Sequence, residues 1–142
     1  MMNVNVIKGG SHTDFRGTIS FFNDFDMRQV KRFYCIIHPD TETKRGWRGH
    51  KIEQRWFYVT EGSFEIELVS INDWDRPDHN LPIVSMILDA ERDEILHVPV
   101  GYATCIRALK AHSKVILFAD YDIKNAKLDD HVWPLDYFNK QQ

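Results

Sequence analysis

The chain reads as an all-β fold of two antiparallel sheets with little helix, and three observations predict it. Short apolar or alternating runs dominate, turn residues separate them at near-regular intervals, and no long stretch carries a helical period. In order, the strand-like runs are 33–38, 56–60, 64–71, 83–88, 95–99, 104–109 and 115–121. The clearest is Ser63-Phe64-Glu65-Ile66-Glu67-Leu68, which alternates as a strand with one buried face must. Glu61-Gly62 just before it predicts a hairpin turn pairing it with 56–60. Arg76-Pro77-Asp78, Asn80-Leu81-Pro82 and Pro99-Val100-Gly101 mark later turns, and one short helix fits at 123–128. This pattern describes a sandwich or barrel, of which a jelly roll is one form.

Composition sets the outer limits. With 142 residues, 43% of them hydrophobic, the chain fits one domain with its own core and shows no repeat or linker. The formal charge of −3, with acids and bases interspersed, leaves no electrostatic footprint for nucleic acid or an anionic membrane. Apolar runs such as 115–119 are far too short to span a bilayer, and residues 1–10 lack the apolar segment of a signal peptide. Cys35 and Cys105 both lie in apolar strand-like runs and read as buried free thiols, in keeping with a cytoplasmic protein.

Three segments, in order, resemble a known family. Asp14-Phe15-Arg16-Gly17 is similar to the opening of the dTDP-4-dehydrorhamnose 3,5-epimerases. Arg45-Gly46-Trp47-Arg48-Gly49-His50-Lys51, running through Glu53-Gln54 to Gly62-Ser63-Phe64, resembles the histidine-bearing strand and turn of the dTDP-sugar 3,4-ketoisomerases. His97-Val98-Pro99-Val100-Gly101-Tyr102-Ala103 looks like a strand entry of the epimerases, and Asp129-Asp130 through Leu135-Asp136-Tyr137-Phe138 extends the likeness. The resemblance implies a cupin jelly-roll β-barrel, with an N-terminal arm over about 1–23, a barrel over about 24–122 and a tail over 123–142. It also implies a homodimer, a nucleotide-sugar substrate of the 4-keto-6-deoxyhexose class, a place in deoxysugar and surface polysaccharide biosynthesis, and no cofactor.

Two departures bear on the chemistry. Arg48 stands where the family has histidine, and Thr104 where the epimerases have another. Metal-binding cupins draw on more ligands than His50 and Glu53 can supply, so no metal is expected.

If the segment from Arg48 onward is extended, then Arg48, His50, Ile52, Gln54, Trp56 and Tyr58 share one face. Such a mixture of cation, imidazole, amide and aromatics suits a sugar-nucleotide pocket, with Gln54, Trp56, Tyr58 and Lys51 as candidate substrate contacts. A 4-keto group acidifies neighbouring C–H bonds, so the family's reaction needs a base, donors for the enolate oxygen and an acid. His50 is the candidate base. Arg48, about 7 Å along the strand, would keep it neutral by like charge and serve as an anion donor. Alternatively, Arg48 has replaced the catalytic base and the protein binds without turnover. Tyr34 and Tyr121 are the candidate acids by position in the family pattern, and Arg16 resembles an arginine that reaches the diphosphate, often of the partner subunit. His97 is expected to be packed rather than catalytic.

Overall fold

The computed structural model describes residues 3–138; the outermost residues of the expected arm and tail, 1–2 and 139–142, lie outside the described residues. Twelve strands follow in order: β1 (Asn5–Lys8), β2 (Gly10–Asp14), β3 (Gly17–Phe21), β4 (Arg32–His38), β5 (Lys44–His50) and β6 (Arg55–Glu61), then β7 (Ser63–Ser70), β8 (Val84–Asp89), β9 (Glu94–Val98), β10 (Tyr102–Ala108), β11 (Ser113–Ala119) and β12 (His131–Val132). One five-stranded sheet has the order β1-β9-β6-β11-β4 and a second the order β12-β5-β10-β7-β8, while β2 and β3 form a separate hairpin. Every pairing is antiparallel. This is the jelly roll of the cupins.

Strand alternation places the core between the sheets. Phe57 and Val59 of β6, Val115 and Leu117 of β11, and Leu96 and Val98 of β9 meet Phe64, Ile66 and Leu68 of β7, Leu88 of β8, and Ile106 and Ala108 of β10. Each fully buried aliphatic or aromatic side chain here contributes about 1.5–3 kcal/mol relative to exposure. A second cluster covers the outer face of the second sheet, where Trp47, Val69, Ala103 and Cys105 pack against Phe138 of the tail. Gly49 lies under this layer, and a Cβ there would sit 2.8 Å from the Trp133 ring, so only glycine lets the tail lie close. Phe22 and Phe25 cover part of the first sheet's outer face, meeting Tyr58, Trp56 and Phe118.

Three expectations are corrected. The turn at Glu61-Gly62 is real, with Gly62 at φ +73°, but it carries the chain from the first sheet to the second. β6 pairs with β9 and β11 and β7 with β10 and β8, so no β6–β7 hairpin exists. The backbone carbonyls of Gly62 and Ser63 instead accept from the N–H groups of Ala90 and Leu109, which fixes the corner. Cys105 is buried but Cys35 is exposed, because β4 is an edge strand whose Phe33, Cys35 and Ile37 face outward. The expected helix at 123–128 is only a 3₁₀ turn at Ala126–Asp129. β1 and the β2–β3 hairpin were not marked by any strong pattern.

Candidate active site

A cavity of about 1010 Å³ opens between the sheets, walled by β4, β6 and β11 on one side, β5 and β10 on the other, and the turn before β12. Its apolar wall is Ile36, Phe57, Ile106 and Leu117, while Arg32, Lys44, Arg45, Arg48, Arg55 and Lys127 make it strongly cationic. A bulge in β5 builds part of this charge. Arg48 stands opposite Thr104 and Arg45 opposite Ile106, so two residues of β5, Gly46 and Trp47, oppose the single Cys105 of β10. The extra residue resets the alternation and turns both arginines toward the cavity. Arg48 pairs with Asp130 at 3.4 Å and Lys44 with Glu67 at 3.3 Å, whereas Arg45 and Lys127 pair with no carboxylate among the described residues.

His50 ends β5, is buried, and lines the cavity. Its Nδ1 lies 2.8 Å from the Asp129 carbonyl oxygen. A carbonyl can only accept, so Nδ1 carries the hydrogen in the neutral ring and the lone pair is on Nε2. That Nε2 is buried and has no hydrogen-bond partner. Burial foremost, then the nearby Arg55 charge, push the His50 pKa below its ordinary value of 6.5, so the ring is neutral near pH 7. The carboxylates of Glu53 and Asp129 oppose that shift without reversing it. The cation that acts on His50 is thus Arg55, not Arg48, whose own charge is engaged by Asp130.

Beside His50, Glu53 is 2% exposed and bridges two arginines, accepting from Arg32 at 2.9 Å and from Arg55 at 2.6 Å. The trio carries a net positive charge, and both guanidiniums lie over the Tyr34 ring, at 5.3 and 6.0 Å. With Glu53 so engaged, it is no free partner to His50 for a metal. Among the described residues no group of three or more His, Cys, Asp or Glu is placed to hold one.

The expected shared face ends at His50. β5 stops there, 51–54 turn, and β6 starts in the other sheet with Arg55 and Phe57 inward. Gln54, Trp56 and Tyr58 therefore do not line the cavity. Gln54 donates to Asp120 at 3.0 Å and accepts from His97 Nε2–H at 2.8 Å, and Trp56 stacks on His97 at 5.1 Å. Tyr58 packs edge-on against Phe22. Lys51 lies over Trp74 outside the cavity, and Arg16 sits in the hairpin paired with Asp14. Tyr34 lines the cavity from β4, while Tyr121 follows β11 and only its carbonyl, accepting from Arg32, borders the site. Of the expected residues, the cavity unites His50, Arg48 and Tyr34. It adds Arg32 and Arg55, which sequence reasoning passed over, and Arg45; Glu53 and Asp129 stand behind the lining, against the arginines and His50. The signal available for Arg55 was its phase, since Arg55, Phe57 and Val59 continue the inward set of β6.

No protein-family model matches the chain, and no curated protein matches it in sequence. Solved structures do match it in fold. A dTDP-4-dehydrorhamnose 3,5-epimerase from Bacillus anthracis with TDP and pyrophosphate bound superposes with a TM-score of 0.71 at 17% identity, covering 90% of this chain and 77% of that one. A TDP-quinovose 3,4-ketoisomerase from Campylobacter jejuni gives 0.65 at 21% identity over 87% and 90% of the two chains. A mutant 3,4-ketoisomerase from Thermoanaerobacterium thermosaccharolyticum in complex with TDP-4-keto-6-deoxyglucose gives 0.67 at 20% identity over 92% and 87%. The chain thus shares the cupin barrel of sugar-nucleotide epimerases and ketoisomerases.

Proposed function

We propose that this protein is a sugar-nucleotide isomerase that moves a proton on a 4-keto-6-deoxyhexose, with His50 as the base. The observation that carries this reading is His50, which lines a cationic cavity with a buried, neutral ring whose Nε2 lone pair has no partner. Such a lone pair can take a C–H proton acidified by an adjacent ketone. The enolate that forms needs preorganised positive charge, and the Arg32–Glu53–Arg55 trio supplies it without further reorganisation. Arg45 and Lys127 are free to meet a diphosphate. The folds it matches include proteins solved with TDP or a TDP-linked keto sugar, which supports the same substrate class.

Tyr34 is the acid in this scheme. It belongs to the first sheet and His50 to the second, so the two flank the cavity from opposite walls. Removing a proton on one side and returning it from the other inverts a carbon, and this favours epimerisation over a carbonyl shift. A second reading, binding without turnover, rests on Arg48, which occupies the position where the resembled family has a histidine.

Solvent deuterium separates the two. The wild type is expected to exchange the C3 or C5 hydrogen of a 4-keto sugar nucleotide, and His50→Ala to lose about 10²-fold or more of that rate while binding nucleotide as before. Binding by the wild type with no exchange supports the second reading. Unchanged exchange in His50→Ala removes His50 as the base.

A further inference from the structure

We infer that Asp130 is a specificity-determining residue, whose carboxylate disfavours a free nucleoside diphosphate and so keeps the cavity for a diphosphate already esterified to a sugar. This rests on the reading of the cavity as a nucleotide-sugar site. Among the described residues Asp130 is the one acidic side chain that lines the cavity, against six lysines and arginines. A wall that binds anions gains no affinity from a carboxylate, so its presence there calls for another reason. Support of the fold is too small a reason. Its partner is Arg48 at 3.4 Å, and the two side chains are 54% and 37% exposed, a contact that solvent screens.

The backbone of Asp130 is held against β5 on both sides, so its charge cannot retreat from an incoming anion. Before it, the buried Asp129 carboxylate accepts the N–H groups of Lys51, Ile52 and Glu53 at 2.8, 2.9 and 2.8 Å. After it, β12 pairs with β5, His131 opposite Gly49 and Val132 opposite Arg48, and the Trp133 N–H donates to the Trp47 carbonyl at 3.0 Å. Lys127 of the same turn lines the cavity, and so do Arg48 and His50 of β5. The phosphate that bears the sugar is the one nearest the reacting ring. With the sugar at His50, that phosphate lies by Arg48, Lys127 and Asp130. A free terminal phosphate carries a charge of about −1.5 to −2 at pH 7, and esterification leaves it one. The two cations attract both forms, while Asp130 repels the more highly charged form more strongly. Discrimination against the free nucleotide therefore comes from a built-in repulsion, since attraction alone would favour the larger charge.

Calorimetric titration of the full chain with thymidine diphosphate and with its terminal methyl ester isolates the charge, because neither ligand carries a sugar. Asp130→Asn keeps the side-chain shape and removes the charge. Its affinity for thymidine diphosphate should rise about fivefold or more beyond any rise for the methyl ester. Equal rises for the two ligands would mean that Asp130 only competes for Arg48, and would overturn the inference while the nucleotide-sugar reading stands. Unchanged affinity for both would overturn it in the same way. Asp130→Ser should repeat the pattern, and it decides alone if the asparagine variant does not fold. If the wild type binds neither ligand, the nucleotide-sugar reading falls and takes the inference with it.

Discussion

Two guanidiniums share one carboxylate at Glu53, and the sharing holds a surplus positive charge inside the barrel. Burying the trio costs desolvation, which the short contacts and the cation–π approach to Tyr34 offset in part. Burial foremost, and then Arg55 of this trio, lower the neighbouring His50 pKa and keep its lone pair available, while Glu53 opposes them. Glu53→Gln leaves both arginines without their counter-ion in a largely buried site. It should destabilise the fold by about 3–5 kcal/mol, read as a lower urea midpoint. A midpoint unchanged from the wild type would show that the trio is hydrated rather than structural. Little of this residue-scale picture was legible in sequence. His50 stood out as the histidine of a resembled motif, but Arg32, Glu53 and Asp129 come together from chain positions as far apart as 32 and 129. No local pattern announces such a meeting.

At the scale of elements, alternation located the strands well and their partners poorly. Each of the seven expected runs contains a strand or most of one, because apolar residues on a single face leave a period-two signature. The hairpin expected at Gly62 failed because a tight turn between two strands can join one sheet or link two, and the sequence of the turn is compatible with both. The face expected to run from Arg48 to Tyr58 failed because the 51–54 link resets the phase. Edge strands mislead in another way. In β4 both faces are rich in apolar residues, so the outward Cys35 read as buried, although Phe33 and Ile37 beside it are 66% and 59% exposed. In the folded single chain, diluted until copies no longer pair, Cys35 should react with a thiol reagent quickly and Cys105 only after denaturation, as followed by mass spectrometry. Slow labelling at Cys35 would mean that something covers the β4 face in solution.

The whole molecule suggests what that cover is. The β2–β3 hairpin extends from the barrel with Phe15 97% and Ile19 63% exposed, and a two-stranded hairpin alone in water is marginal. The exposed face of the β4 edge strand is apolar as well. We propose that two copies pair so that these surfaces cover one another, and light scattering at micromolar concentration should give twice the chain mass of 16.8 kDa. A mass of one chain would count against the pairing. The overall architecture was legible because the strand spacing and the motif order both pointed to a cupin barrel. The oligomer and the site geometry were not, since both depend on surfaces assembled from distant segments.

With His50 as the base, a 4-keto sugar nucleotide must occupy the cavity with its acidic carbon presented to that ring. A crystal structure of the protein with a TDP-linked 4-keto-6-deoxyhexose tests it most directly. C3 or C5 of the sugar is expected at about 3–3.5 Å from His50 Nε2, with the Tyr34 hydroxyl on the opposite face of the ring and the diphosphate against Arg45 or Lys127. A nucleotide sugar bound outside the cavity, or inside it with the hexose turned away from His50, would rule out His50 as the base.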